Sequence, residues 1–91
     1  MNANVFLALQ ANDDTRPIVD AVEHDNPHAR VSHMPALVRI DAPGRLVVNR
    51  ETVERNLGRA WDVQEIHLNL ISISGNVDET EDHFAIGWHR A

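Results

Sequence analysis

The apolar segments of this chain are short, and most joins between them are only long enough for hairpins. Segment 40–59, IDAPGRLVVNRETVERNLGR, is the clearest case: an apolar strand stops at Pro43-Gly44, resumes as an apolar triplet, and changes to helical spacing at Asn49. Pro43 and Gly44 suit the centre of a type II turn, because proline presets φ and glycine accepts a positive φ. Joins of this length favour antiparallel sheets, so we predict an α+β fold.

Periodicity and turn chemistry predict the order β-α-β-β-β-α-β-β, with one extra helical turn before the last two strands. The strands are predicted at 4–10, 30–34, 37–41, 45–48, 67–74 and 83–89. The turn at Pro43-Gly44 would join 37–41 and 45–48 as an antiparallel hairpin.

Both helices have recognisable ends in the sequence. Asp13 or Asp14 is predicted to cap the first helix, because a short carboxylate accepts the unpaired N–H groups of a first turn. That helix should end at Asn26, which precedes a proline. The second helix is predicted to begin after Asn49 as N-cap and to end at Gly58, where a left-handed residue is expected.

The segment after the second helix has the spacing of a capping box, in which the Asp62 and Glu65 side chains satisfy each other's backbone N–H groups. We predict one helical turn there and a tight turn at Gly75-Asn76. The run 78–82, DETED, is predicted to be an acidic loop.

The last predicted strand alternates between large apolar residues and polar or small ones. A period of two places successive side chains on opposite faces of a sheet. We therefore predict Phe84, Ile86 and Trp88 in the core.

Composition restricts the classes of function. A chain of 91 residues is expected to form one domain, residues 1–91. Fourteen acidic residues against eight arginines, with no lysine, give a net charge of −6, and such a surface disfavours nucleic-acid binding because it repels phosphates. The absence of cysteine removes thiolate metal sites and cysteine nucleophiles and fits a reducing cytoplasm. No apolar stretch approaches the ~20 residues of a membrane helix, and the N-terminus lacks the positive segment of a signal peptide.

No motif has the spacing of a catalytic or metal site. The six histidines never occur as H-x-x-x-H on one predicted helix and show no H-E-x-x-H pattern, and the run 78–82 lacks the calcium-loop pattern. No serine lies in a G-x-S-x-G elbow, and the isolated glycines form no nucleotide cradle. We therefore expect no catalytic, cofactor-binding or metal-binding residue in this chain.

Three features stay open at the level of sequence. Asn69 interrupts an apolar strand, where it either satisfies a neighbouring backbone group or faces a partner. The acidic run 78–82 is either a solvated loop or a segment that steers association. His67, His83 and His89 are either surface imidazoles or a three-histidine site on neighbouring strands.

Three segments, RPIVDAVEHDNP, VRIDAPGRLVVNRETVERNLGR and WDVQEIHLNLISISGNVDETEDHFAIGW, together resemble the effector (regulatory, coupling) proteins of bacterial multicomponent monooxygenases. The order and spacing of these parts, over about residues 5–88, carry the resemblance. Within the family, the phenol hydroxylase effectors are the most similar, and the toluene and soluble methane monooxygenase effectors are more distant. The most specific parts are Gly44-Arg45-Leu46-Val47 with Arg50-Glu51, Leu57-Gly58-Arg59 with Trp61-Asp62, and Asn69-Leu70-Ile71-Ser72 with Gly75.

The resemblance implies two small sheets meeting at a corner, with helices packed against them. It implies a non-catalytic, cytoplasmic protein without a cofactor, which binds an oligomeric hydroxylase component containing a diiron centre. An NADH-dependent reductase with flavin and an iron–sulfur cluster would supply electrons, and the bound effector would couple oxygen activation to hydroxylation of a phenol. The methane monooxygenase effector has a long N-terminal tail, which we do not expect here because this chain begins close to its first predicted strand.

We expect contact with the hydroxylase where polar residues interrupt the apolar strands and in the adjoining loops. The residues of this predicted interface are His33, Met34, Pro35, Asn69, Ser72, Gly75 and Asn76. One rival hypothesis is a small-molecule sensor with an apolar pocket between sheet and helix. Another is a stand-alone enzyme whose acid and base meet only in space.

Overall fold

Two antiparallel sheets and two α-helices form the part of the chain that the computed structural model describes, residues 4–88. The α-helices are α1 (Arg16–Asp25) and α2 (Arg50–Leu57), and a 3₁₀ helix spans Val63–Leu68. The predicted α+β class is confirmed. The strands are β1 (Asn4–Gln10), β2 (Arg30–Met34), β3 (Leu37–Pro43), β4 (Arg45–Asn49), β5 (Leu70–Ser74), β6 (Asn76–Glu79) and β7 (His83–Gly87).

The strands divide into a large sheet of order β2-β3-β1-β5 and a small sheet of order β4-β7-β6. Every pairing between these strands is antiparallel. Apolar side chains from both sheets and from α1 share one core. Its largest fully buried members include Leu7 and Ile40 from the large sheet, Phe84 and Ile86 from the small sheet, and Val22 from α1.

The two faces of the large sheet differ. Val5, Leu7 and Leu9 of β1 point into the core, so the alternate positions Phe6 and Ala8 point outward. Helix α1 packs against β4 and α2, and α2 packs against α1 and β4, so both α-helices lie on the core side. We call the outward surface the strand face. By register it carries Phe6, Ala8, Gln10, Arg30, Ser32, Met34, Leu37, Arg39, Asp41, Ser72 and Ser74.

The predicted hairpin between 37–41 and 45–48 is wrong. Strand β3 pairs with β1 and β2, so both of its edges are occupied, and β4 pairs with β7 of the other sheet. Gly44 does take the expected positive φ, +77°. It marks the point where the chain leaves the large sheet and enters the small one.

The region after α2 also differs from the sequence expectation. The capping box of Asp62 and Glu65 is present, but the 3₁₀ helix continues to Leu68, so β5 begins at Leu70 instead of residue 67. Asn76 begins β6, which includes the first two residues of the predicted acidic loop 78–82 and adds a strand to the predicted order. All four residues of β6 are exposed on a sheet edge, so the strand has no apolar alternation by which it could be recognised.

The N-cap of α2 was predicted at the correct residue, the N-cap of α1 was predicted one or two residues too early, and neither helix start has the predicted side-chain contact. Thr15, not Asp13 or Asp14, is the N-cap of α1, and the preceding turn is closed by Asn12, whose Oδ1 accepts from the Thr15 N–H at 3.1 Å. Asn49 is the N-cap of α2 but makes no side-chain capping bond. The Arg50 N–H donates to a backbone carbonyl instead, that of Asp82, at 2.9 Å. The predicted ends at Asn26 and Gly58 are confirmed.

The last strand is shorter than predicted, and Trp88 is not in the core. Strand β7 ends at Gly87, and Trp88 is 49% exposed, with its Nε1 donating to the Asn4 carbonyl at 3.2 Å. Phe84 and Ile86 are fully buried, as predicted. His89 lies outside the described residues.

Candidate binding surface

The histidines of the small-sheet region form pairs with carboxylates. His67 Nε2 lies 2.7 Å from Glu79 Oε1, and His83 Nε2 lies 3.3 Å from Asp78 Oδ2. Within residues 4–88, no three histidine, aspartate or glutamate side chains are placed to hold a metal ion together. His89, the third member of the three-histidine hypothesis, is beyond the described residues.

A polar cluster joins the end of α1 to the start of α2. Asp25 accepts hydrogen bonds from Thr52 Oγ1 at 2.6 Å and Asn49 Nδ2 at 2.9 Å, and lies 3.0 Å from His24 Nδ1. Burial raises the pKa of Asp25, but the hydrogen bonds from Thr52 and Asn49 and the neighbouring His24 together outweigh it, so the pKa is lowered. These contacts fix the Asp25 carboxylate, which links the end of α1 to the start of α2.

The concavity between α1 and the large sheet is not an apolar ligand pocket. Its volume is about 360 Å³, and Ala11, Val19 and Val38 are its apolar lining. Its seven other lining residues are polar or charged, among them Arg16 and Asp20. Small-molecule sites are mainly apolar with a few convergent polar groups. This lining is a poor match to the small-molecule sensor hypothesis.

The predicted interface residues in the β2–β3 hairpin lie at its tip. Met34 points to the strand face, whereas His33 lies opposite Val38 and faces the α1 side. Pro35 and Ala36 form the two-residue connection, in which Ala36 has φ +72°. All four residues are exposed.

The other predicted interface residues lie within β5 or next to its two ends. Ser72 is exposed on the strand face, and Gly75 and Asn76 lie where the chain passes from β5 to β6. Asn69 precedes β5 instead of lying inside a strand: its Oδ1 accepts from Asn12 Nδ2 at 2.9 Å, and its carbonyl accepts from the Gln10 N–H at 2.8 Å. The predicted residues therefore lie around the border of the strand face and do not form one cluster.

The centre of the strand face holds a group that sequence reasoning missed. The Arg39 guanidinium lies 4.0 Å from the centre of the Phe6 ring. Its Nε is 3.1 Å from both carboxylate oxygens of Asp41, and its Nη2 is 3.0 Å from Oδ1. The sequence of β1 could have indicated this group. Its outward positions Phe6 and Ala8 are apolar, whereas the outward positions of a solvated sheet face are normally polar.

The model of the MmoB/DmpM family matches residues 3–87. The chain belongs to the MmoB/DmpM family.

Sequence similarity to one member of the MmoB/DmpM family extends over almost the whole chain. The phenol 2-monooxygenase stimulatory component DmpM of Pseudomonas sp. (strain CF600) is 54% identical over 88 residues, which are 97% of this chain and 98% of that protein. The resemblance found in the sequence is thereby confirmed.

Solved structures of MmoB/DmpM proteins have the same fold. A structure of the phenol hydroxylase–regulatory protein complex contains a chain that is 56% identical, with a TM-score of 0.90 over 94% of this chain and 99% of that one. The soluble methane monooxygenase regulatory protein B is 21% identical, with a TM-score of 0.74 over 94% of this chain and 65% of that one. At that identity the likeness shows the fold alone.

Neither α-helix nor the 3₁₀ helix described in this MmoB/DmpM member has the length and apolarity needed to cross a membrane.

Proposed function

We propose that this protein is the stimulatory, or effector, component of a phenol-type multicomponent monooxygenase. The observation that carries the proposal is the near full-length similarity to a phenol 2-monooxygenase stimulatory component. In this role, residues 1–91 act as one non-catalytic domain that binds the hydroxylase component. The diiron centre belongs to the hydroxylase, and flavin and an iron–sulfur cluster belong to an NADH-dependent reductase. Because the reductase uses NADH, we assign the system to the cytoplasm.

An effector without a catalytic group acts by preferring one conformation of its partner. It can shift the hydroxylase only by the difference between its binding free energies for the two hydroxylase states. To shift the population ratio of the two hydroxylase states from about 1:99 to 99:1, this difference in binding free energy must be roughly 5.5 kcal/mol. A well-packed interface of ordinary size can supply such a difference, so the role requires a surface and no cofactor in this chain.

The residues proposed to contact the hydroxylase include those predicted from the sequence. Their position around the border of one sheet face that neither α-helix covers supports a contribution to the same contact. They are His33, Met34, Pro35, Asn69, Ser72, Gly75 and Asn76.

The direct test is reconstitution with purified hydroxylase, reductase, NADH and phenol. We expect hydroxylated product per NADH consumed to rise when the protein is added and to level off as the hydroxylase becomes saturated. The same yield with and without the protein would contradict the effector role. A stoichiometric metal or flavin in the purified protein would contradict its cofactor-free character.

A further inference from the structure

We infer that the strand face is the surface that docks on the hydroxylase, and that Arg39, stacked on Phe6 and held by Asp41, is its anchor. The inference rests on the proposed effector function and assigns that function to one surface. Three observations support it: the distribution of charge, the geometry of the anchor, and the partly apolar surface of small side chains beside the anchor.

Acidic residues are almost excluded from the large sheet. The chain has 14 acidic residues, but Asp41 is the only one in β1, β2, β3 and β5. Asp41 is paired with Arg39, and Arg30 adds a second cation to the same face. Interface centres are depleted in acidic residues and enriched in arginine, aromatic residues and methionine. The strand face matches this pattern in its single acidic residue, its two arginines, Phe6 and Met34, and the rest of the protein is acidic.

Arg39 is already fixed in the geometry that binding would require. Stacking on Phe6 and the contacts with Asp41 immobilise the guanidinium before a partner arrives. Little side-chain entropy remains to be lost on association, which favours affinity. The Arg39 side chain is still 41% exposed, so its N–H groups that do not face Asp41 can donate to carbonyl or carboxylate oxygens of the hydroxylase.

The surface next to the anchor consists of small side chains and is partly apolar. Ala8 lies opposite Arg39 on one side and Ser72 on the other. The register between β1 and β5 shifts beside Ala8 and leaves Ile71 unpaired and 47% exposed. Small residues and an exposed isoleucine leave room for a partner's side chains to approach the sheet.

The size of the strand face explains why its border must take part. Four strands spaced about 4.8 Å apart and about 20 Å long give a flat footprint of roughly 400 Å². A standard interface buries roughly 800 Å² on each partner. The hairpin tip with Met34 and Pro35, and the bend at Gly75, lie where the additional contact area is needed.

The first test compares two arginine variants in the reconstituted monooxygenase. Arg39→Ala should raise the effector concentration that gives half-maximal product formation by about tenfold or more, as expected for a central arginine. The matched control is Arg55→Ala, because Arg55 lies on α2 and makes a solvent-exposed pair with Glu51. The control should keep the wild-type half-saturation concentration.

A second pair of variants avoids any dependence on the packing of Phe6 and Arg39. Ser72→Trp adds bulk at an exposed position of the strand face, and Glu23→Trp adds the same bulk at an exposed position of α1. We expect the first to raise the half-saturation concentration about tenfold and the second to leave it unchanged.

The results separate this inference from the proposed function. If wild-type protein stimulates the hydroxylase but either Arg39→Ala or Ser72→Trp keeps the wild-type half-saturation concentration, the strand face is not the docking surface. If wild-type protein does not stimulate, the proposed function itself is wrong. If the circular dichroism spectrum shows that Arg39→Ala does not fold, the half-saturation concentration of Ser72→Trp alone tests the inference.

Discussion

The strand face and the helix side of this small protein differ in how their polar groups are used. On the helix side, polar side chains bond to other parts of the same chain: Asp25 joins α1 to α2, and the Asn26 side chain bonds to the backbone of β4 at Val47. On the strand face, Arg39 and Asp41 pair with each other and remain partly exposed. The helix side is thus built for folding, and the strand face keeps donors and apolar surface available for a partner.

This difference has a consequence for substitutions. Changes on the helix side should lower the free energy of unfolding but leave the half-saturation concentration for hydroxylase stimulation unaltered. Changes on the strand face should raise the half-saturation concentration and leave the free energy of unfolding close to that of wild type. The four predictions below concern the free energy of unfolding at two sites on the helix side and at two bends of the chain, from the largest expected effect to the smallest.

Gly75→Ala should lower the free energy of unfolding by about 2–4 kcal/mol. Gly75 has φ +129°, and a Cβ there would lie 2.5 Å from Ile86 Cγ2 and 3.0 Å from Val5 Cγ1. Gly44→Ala is the control, because its φ is also positive, +77°, but its Cβ would meet nothing within 4 Å. Urea unfolding should show a loss of only about 1 kcal/mol for the control, and equal losses would mean that close packing at Gly75 is unimportant.

Asn26→Ala should lower the free energy of unfolding by about 2 kcal/mol. The Asn26 side chain donates to the carbonyls of Val22 and Val47, both at 2.8 Å, and accepts from the Val47 N–H at 3.0 Å, so it occupies the edge of β4. Asn56→Ala, which loses one exposed bond to the Pro17 carbonyl, should stay within about 0.5 kcal/mol. If urea unfolding shows an equally small loss for Asn26→Ala, the Asn26 side chain does not stabilise the edge of β4.

Asp25→Asn should lower stability at pH 7 by about 1–2 kcal/mol, because charged hydrogen-bond acceptors are worth more than neutral ones. The pKa of Asp25 is lowered in the folded state. Its contribution is therefore present above the unfolded pKa, near 4, and is lost as the pH falls through the folded pKa. Melting curves between pH 7 and pH 2.5 should show the gap between wild type and variant closing in acid. A gap that is constant or widens in acid would contradict the assigned direction.

Ala36→Gly should raise stability by about 0.5 kcal/mol. Ala36 has φ +72° at the tip of the β2–β3 hairpin, and glycine takes that conformation without the steric cost of a Cβ. The gain is small because glycine also loses more backbone entropy on folding. Thermal unfolding of Ala36→Gly should show a slightly higher Tm, and a lower Tm would mean that the left-handed conformation at this tip carries no strain.

Local signals in the sequence gave most of the elements but not the way they assemble. The Asp62–Glu65 capping box, the break at Asn26 and the stop at Gly58 depend on residues close in the chain, and all three were predicted correctly. The pairing of β4 with β7 depends on residues about forty positions apart, and the sequence offered only the neighbouring strand as a partner. All four residues of the edge strand β6 are exposed, so it left no periodic pattern.

The same distinction applies to the candidate surface. Residues around the border were predicted from polar interruptions of apolar strands, as for Ser72, and from the adjoining loops, as for Met34. The central group of Phe6, Arg39 and Asp41 was missed because its recognition requires the register between β1 and β3. Phe6 of β1 lies opposite Asp41 of β3, and Arg39 lies two residues before Asp41 in β3. Only the antiparallel pairing of β1 with β3 brings the three side chains together.

The central claim is that the strand face, and not the helix side, is covered when the hydroxylase binds. Because the chain has no cysteine, single cysteines can be introduced at Ser72 on the strand face and at Asp20 on α1, and both positions are exposed. The rate of maleimide modification of each variant would be measured by mass with and without saturating hydroxylase. We expect modification of Ser72→Cys to slow about tenfold in the complex, while Asp20→Cys reacts at its free rate. Unchanged modification of Ser72→Cys, or protection confined to Asp20→Cys, would contradict the account.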